Sequence, residues 1–550
     1  MRLSPWRKLF FQSRHLRLQG WVLLALIVAL GGAMRLYGIS TMPAGLFGDE
    51  AAEGRDALRI IAGERPMYLE ANFGREPLHA YLVALSVSTF GRTPAAVRLP
   101  SALAGCATIV GLFGLTRRLF GTRAGLIAAF LCAFSVWAVM LGRLATRPAL
   151  LPCVLAFALW AGISGWQRRD ARRWVAAGLL FGLALYTYTP IRVIIFIVPV
   201  WLLVVGIHGS MRRMWPGVIY AAIGFVVCAL PLIVYGASHP EVLFGRAGGV
   251  LVLNMDGGLW SAARVLALQT WKVAAMFGVP GFGDSNLRHN LPGRPALDWW
   301  IAVAAIWGFI GLASRRRHFA VIGLCLLGLS VLPTILSEEA PHFARGSGAM
   351  LVVLPLAALG IEQLQHLRVK SWVVLKTTAA AGALGFAAAS AFSALWLPAY
   401  LLQSQTGFAF DEQCTRAAID ANNFLATGWR GAGWFADRTQ PLAGRTVILA
   451  RDVCPEYSSS GSDTVRFLVP VEFAQGGALR RYELEKLPPL ATLPEQILFL
   501  AIPGDETRLA PWLGARYALQ VEDGPWTPPD LLGNSWLVYR RVLATANAGS

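Results

Sequence analysis

Four carboxylates fall within eight residues in the stretch GLFGDEAAEGRD (45–56): Asp49, Glu50, Glu53 and Asp56. An ionised carboxylate at a wet surface can take the proton from a hydroxyl that is otherwise a poor nucleophile. The plain alternative is structural, with Asp49 as the N-cap of a helix over about 50–62 and the other three as solvated loop charge. Arginine is the second chemical signal. Arg75 lies in NFGREPLHAYL, Arg143 and Arg147 in LGRLATRPA, Arg192 in LYTYTPIRV and Arg345 in EEAPHFARGSG. Guanidinium groups pair with phosphate oxygens through two parallel hydrogen bonds, although an arginine at such a place, taken alone, is more often a membrane-interface anchor.

The elements that position these residues are membrane spans. Of the 550 residues, 55% are hydrophobic and only 15% charged, with a mean hydropathy of +0.52, whereas soluble domains carry about 25% charged residues. The net charge of +18 comes from short basic clusters between apolar runs, a pattern of cytoplasmic loops and not of a nucleic-acid-binding face. The first apolar run lacks a convincing small-residue cleavage site, so a retained span is expected.

Apolar segments of spanning length lie near 19–37, 95–116, 123–141, 147–165, 173–188, 190–207, 216–236, 298–313, 318–336, 346–363 and 372–397. The positive-inside rule puts six basic clusters in the cytoplasm. They are the N-terminal group (Arg2, Arg7, Lys8, Arg14, Arg17), Arg117/Arg118/Arg123, Arg168/Arg169/Arg172/Arg173, Arg212/Arg213, Arg315/Arg316/Arg317 and Arg368/Lys370. PLHAYLVALSVSTF (Pro77–Phe90) is too short for the roughly 30 Å core and reads as an interfacial or re-entrant helix on the outer side. About eleven spans result. Residues 1–18 form a basic cytoplasmic N-terminus, 19–397 a transmembrane catalytic domain with long outer loops at about 38–94 and 237–297, and 398–550 an extracytoplasmic domain.

Before residue 400 only Asp170 and Glu362 among the carboxylates fall on the cytoplasmic side of this scheme. Acidic residues contribute little to orientation, so the asymmetry is independent of the rule that produced the topology and points to a working outer face. FGVPGFGDSNLRHNLPGRPALDWW (277–300), rich in Gly, Pro and Asn, reads as an ordered irregular loop. After about 398, helix-like DEQCTRAAIDANNFLA gives way to β-rich TVILA (446–450), ILFLAI (497–502) and SWLVYRRV (535–542), the pattern of a small α/β domain. Five cysteines lie in spans as packing residues. Cys414 and Cys454 share the outer domain, where an oxidising compartment makes a disulfide a candidate.

The order GDE after the first span, GREPL before the short helix, VRLPSAL, RRLFG, LYTYTPIR, GDSNLRHNLPGRP and EEAPHFARG resembles the GT-C glycosyltransferases. It is most similar to bacterial relatives of the dolichyl-phosphate-mannose protein mannosyltransferases and of the lipid A aminoarabinose transferases, over about residues 20–365. The resemblance implies a GT-C-like polytopic α-helical membrane protein of the bacterial plasma membrane. It would move a sugar, with inversion, from a polyprenyl-phosphate donor to a hydroxyl of a protein, lipid or glycan acceptor on the outer face. Asp49 then becomes the general base and Glu50 its catalytic neighbour. Arg75 stands where many relatives have lysine, followed by an added carboxylate, Glu76. The same motifs imply substrate contacts at His79, Arg143, Arg147 and Arg192. Further contacts are implied at Asp284, Arg288 and His289, and at Glu339, His342 and Arg345. Arg147 replaces an aspartate that many relatives carry; a divalent metal is compatible with the family, and nothing in the sequence requires one. Two other readings share these features: a flippase or transporter of lipid-linked sugars, which should place ionisable residues inside spans, and a glycan polymerase or ligase using a lipid-diphosphate donor.

Overall fold

The computed structural model describes residues 14–69, 74–207, 211–240, 258–364, 372–401, 403–454, 461–471, 474, 477–483, 487, 489–526 and 537–547. Arg2, Arg7, Lys8, Arg368 and Lys370 of the basic clusters, and Glu241 and Asp256 of the second long loop, lie outside them. The chain divides into two compact units. One comprises Met1–Tyr37, Pro66–His79 and Ser101–Ala394, the other Gly38–Arg65, Ala80–Pro100 and Leu395–Ser550.

The first unit is helical, and its helices follow the apolar runs. Among the described residues seven helices are long and apolar enough to cross a membrane, or eight if the pair Thr122–Phe134 and Val136–Arg143, bent by 57°, counts as one span. The remaining expected spans are shorter helices, Ala171–Ala184, Ile197–Ile207 and Trp299–Arg315, so length alone supports fewer than the eleven expected. Leu78–Phe90 is a 13-residue helix, about 20 Å long and too short to span alone.

A membrane helix must satisfy its backbone internally, and the bent pair shows how. The break at Ser135 frees carbonyls of the preceding turn, and fully buried Arg35 donates to Cys132 and Ala133 as well as to Gly31 of its own helix. Helix Trp299–Arg315 packs on Met350–Leu364 at paired glycines. A Cβ on Gly308 would meet the Leu356 carbonyl at 1.9 Å, and one on Gly360 the Ala304 carbonyl at 1.9 Å. Small residues thus set the closeness of this crossing. The second long loop contains a helix that the sequence reading did not anticipate, Gly258–Ala275; 276–298 is the irregular segment expected.

The second unit holds a five-stranded sheet in the order β2-β1-β3-β5-β4, with β1 Arg445–Ala450, β2 Leu479–Tyr482, β3 Gln496–Ala501, β4 Tyr517–Asp523 and β5 Arg540–Ala546. β1 runs parallel to β2 and β3, while β5 is antiparallel to both β3 and β4. Apart from their first residues, β1 and β3 are buried throughout, as expected of central strands covered on both faces. Helix Glu412–Leu425 packs on β1 and on helix Gly461–Leu468, and the latter also contacts helix Gly48–Ile61. The composition break near 398 lies close to the unit boundary at Leu395, but the unit also takes in 38–65 and 80–100, which the sequence reading assigned to the membrane domain.

Candidate active site

In the second unit the acidic segment is a helix, Gly48–Ile61, whose N-cap is Phe47. Asp49 is therefore not the N-cap. The capping contact comes from Glu50 at the third helical position, whose Oε2 accepts the Phe47 N–H at 3.2 Å. Three of the four carboxylates are not solvated loop charge either. Glu50, Glu53 and Asp56 are buried, and Asp49 is the exposed one.

Glu50 is held by Arg98 in a two-pronged pair, Nε to Oε1 at 2.9 Å and Nη2 to Oε2 at 2.8 Å, with both side chains essentially inaccessible. Arg98 also donates to the carbonyls of Ile39 and Pro43, each at 3.1 Å, and to that of Gly45. One guanidinium thus ties the chain at 39–45 to the first turn of the Asp49 helix. The turn is further held by Leu46 N–H to Thr415 Oγ1 and Gly48 N–H to Asp411 Oδ2, each 2.9 Å, and by Thr464 Oγ1–H to the Leu46 carbonyl at 2.9 Å. Arg55 pairs with Asp463. Glu50 is an anchor of the turn, and Asp49 is the acidic group left accessible at its start.

In the first unit a second carboxylate gathers arginines. Glu76 is fully buried. Its Oε2 accepts from Arg147 Nη1 at 2.8 Å, and its Oε1 from Arg192 Nη2 at 3.1 Å and Thr189 Oγ1 at 2.9 Å. Arg192 also donates to the Tyr68 hydroxyl at 3.2 Å. Burial, reinforced by Glu76, raises the Tyr68 phenol above its ordinary value, so it stays a neutral hydroxyl. Among the described residues, two guanidinium groups from separate segments thus meet on one carboxylate.

The first unit also brings together Asp284, His289 and His342, whose candidate ligand atoms all lie within 4.8 Å of one another. Asp284 Oδ1 accepts the Asn286 N–H at 2.9 Å, and Oδ2 accepts the Phe343 N–H at 2.7 Å. Burial would raise this carboxyl, but His289, His342 and the Phe343 amide outweigh it, so Asp284 sits below the usual range. Burial first, then His289 and Arg345, push His342 down to about 3, so its imidazole is neutral at pH 7. The Trp137 indole N–H reaches the Phe343 carbonyl at 3.1 Å and fixes the second loop. Arg345 Nη1 is buried and has no hydrogen-bond partner among the described residues.

The remaining expected contacts divide. Arg143 is buried and donates to the Met34 and Arg35 carbonyls at 2.9 and 3.2 Å, a helix C-terminal cap. His79 Nε2 lies 3.0 Å from Ser101 Oγ, both buried. Arg75 is buried and bridges to Leu69 through its backbone. Arg288 is half-buried. Glu339 is exposed, and no ion pair joins it to Arg345 among the described residues. Cys414 and Cys454 are free thiols in this structure, so the candidate disulfide is not formed. They are nevertheless neighbours deep in the second unit. Burial, together with a hydrogen bond to Cys414, holds the Cys454 thiol well above its usual value. Sequence reasoning passed over Tyr68, Thr189 and Arg98. For Arg98 a signal existed, since a cation opening an apolar helix needs an acidic partner.

These features define a polytopic membrane protein with a helical unit and a small mixed-sheet unit, each carrying buried arginine–carboxylate pairs. Residues 74–235 match the family model of the dolichyl-phosphate-mannose-protein mannosyltransferases. The fold is similar to that of ArnT from Cupriavidus metallidurans bound to undecaprenyl phosphate, at a TM-score of 0.53 and 15% identity over 96% of this chain and 98% of that one. The apo state of the same protein gives a TM-score of 0.51 at 15% identity, with the same coverage. The oligosaccharyltransferase AglB from Archaeoglobus fulgidus, in complex with an inhibitory peptide and a dolichol-phosphate, gives 0.46 at 12% identity over 96% of this chain and 74% of that one. No curated protein matches the sequence. The chain thus has a fold similar to that of ArnT, and its residues 74–235 carry the match to the mannosyltransferase family model.

Proposed function

We propose that this protein is an inverting glycosyltransferase of the bacterial plasma membrane. It moves a sugar from a polyprenyl-phosphate donor to a hydroxyl of a protein, lipid or glycan acceptor on the outer face. The observation that carries the reading is the convergence of Arg147 and Arg192, from separate segments, on buried Glu76. Glu76 orients the two guanidinium groups, whose remaining N–H donors suit the phosphate that leaves when the anomeric bond breaks. An apolar cavity of about 590 Å³ supports a lipid-linked donor: Ile195, Phe196, Ile197 and Trp201, just beyond Arg192 in sequence, line it. Such a wall is compatible with an isoprenoid chain beside a phosphate held by arginine. Asp49 takes the acceptor proton as the hydroxyl attacks the anomeric carbon, and a single displacement inverts that centre. Arg345, whose Nη1 has no hydrogen-bond partner among the described residues, is a further cation available to the donor phosphate.

The test is transfer of radiolabelled sugar from a polyprenyl-monophosphate donor by the purified full-length protein. Arg192→Lys keeps the charge but loses the planar fork. It should lower transfer towards the roughly 10²-fold loss seen when one transition-state donor is removed, with an unchanged elution profile. Near-normal transfer by the lysine variants of Arg147, Arg192 and Arg345 alike would reject a phosphate-linked donor at these residues.

A further inference from the structure

We infer that Arg118, Arg168 and Arg173 form a binding site for the headgroup of an anionic glycerophospholipid. The three come from the ends of different helices of the first unit, Pro94–Phe120, Leu150–Arg168 and Ala171–Ala184. The positive-inside rule assigns this end of the bundle to the cytoplasm. That rule asks only for basic residues in the loops and leaves them free to spread through water. Here they are gathered instead. Arg118 is half-buried, and Arg168, Arg173 and Arg117 all stand close enough to act on its charge. Like charges at such range repel, and more strongly where protein and lipid lower the dielectric. Asp170, in the turn between Arg168 and Arg173, is already engaged. It accepts the Arg172 N–H at 3.0 Å as N-cap of its helix and Arg173 Nε at 2.8 Å. Arg117 lies over the rings of Trp21 and Phe113, 5.4 and 5.7 Å from their centroids. The guanidinium groups of Arg118 and Arg168 make no hydrogen bond or ion pair among the described residues. An anion seated between them would relieve the repulsion.

What adjoins the cluster selects a lipid over a soluble anion. Leu119 and Phe120 follow Arg118, Trp166 stands two residues before Arg168, and Trp174 follows Arg173. All four line the apolar cavity of about 590 Å³. Trp166 packs on Phe319 and Trp174 on Trp201, each pair with ring centroids 5.7 Å apart, and Phe319 and Trp201 line the same cavity. The donor reading draws on the 195–197 wall of this cavity; the wall used here comes from the helices that carry the arginines. A headgroup phosphate on the arginines therefore places its acyl chains beside Phe120, Trp166 and Trp174. A basic pocket between transmembrane helices is the arrangement that binds anionic headgroups, and guanidinium is the group suited to their phosphate oxygens.

The site stands independently of the proposed transfer reaction, because its test reads lipid binding and not activity. Full-length protein in detergent is titrated with phosphatidylglycerol or phosphatidylcholine of the same acyl chains, and bound lipid is counted by native mass spectrometry. Phosphatidylcholine carries the same phosphate without the net charge. Wild-type protein should bind phosphatidylglycerol at least about tenfold more tightly. The double variant Arg118→Gln, Arg168→Gln breaks no side-chain bond among the described residues. It should lower phosphatidylglycerol affinity about twentyfold, at roughly fivefold per arginine. Arg123→Gln with Arg172→Gln removes two exposed arginines of the same loops that are not among those crowding Arg118. That control should change affinity by under about threefold. Wild-type protein without a preference for phosphatidylglycerol overturns the site, whatever the variants do. So does unchanged affinity in the folded Arg118/Arg168 variant. Equal losses in the two double variants also overturn it, since they would make the attraction diffuse surface charge.

Discussion

Replacing Glu50 by Gln separates two roles that its position beside Asp49 confuses. The carboxylate accepts from Arg98 Nε and Nη2 and from the Phe47 amide. Glutamine keeps one acceptor oxygen but turns an N–H₂ group towards a donor and removes the negative charge, leaving the buried Arg98 cation with neutral acceptors such as the carbonyls of Ile39, Pro43 and Gly45. Breaking one side of a buried ion pair costs about 3–5 kcal/mol. At about 1.36 kcal/mol per factor of ten, the first turn of the helix should open between roughly a hundredfold and several thousandfold more often. Hydrogen exchange reads this directly at the amides of Leu46, Phe47 and Gly48, which bond to Thr415, Glu50 and Asp411. Arg98→Lys should speed exchange at the same amides, since lysine cannot reproduce the fork. The double variant should fall well short of the sum, as expected of groups in contact. Exchange within about threefold of wild type in Glu50→Gln, alongside a collapse of transfer, would refute the anchoring argument and make Glu50 a proton-transfer group.

Two further outcomes follow from the same geometry. Asp49→Asn should reduce transfer by about 10²–10⁴-fold with the helix intact, because Asp49 is exposed and the N-cap position belongs to Phe47; activity within a few-fold of wild type rejects it as base. Cys414 and Cys454 should alkylate slowly in folded protein and both react after denaturation, since both thiols are free and buried; a disulfide-linked peptide would contradict the structure.

The helices were legible because hydropathy is local. Each expected span falls on helical chain, although 123–141 and 190–207 are each broken into two helices, and the short segment before Phe90 is short in space as well. The strands β1 and β3 showed as apolar runs, the run expected at 535–542 overlaps β5 only at 540–542, and β2 (LRRY) and β4 (YALQVED) carry charges that masked them. What sequence could not supply is pairing across distance. Arg98 meets Glu50 across 48 residues, Arg147 meets Glu76 across 71, and Arg192 meets Glu76 across 116. Each side chain reads as an interface anchor until the fold selects its partner. Arg143 shows the opposite error: an arginine in a promising motif is occupied with helix-end carbonyls.

The acidic stretch carried one signal that period-3.6 reasoning could have extracted. Glu50, Glu53, Gly54, Ala57 and Ile60 follow the i, i+3, i+4 spacing of one helical face, and all five are buried. Asp49 lies only about 20° in phase from Ile60 and from Asp56, both buried, so its exposure comes from its place in the first turn and not from the helix phase. Adjacent carboxylates on a helix point about 100° apart, so they cannot share an environment. The face that packs recruits Glu50 into the Arg98 pair, and the same packing leaves Asp49 accessible. Chemistry at an acidic pair such as this needs one residue to hold the backbone and the other to remain available to a hydroxyl. The packing of the first turn separates Glu50 from Asp49 before any substrate is present.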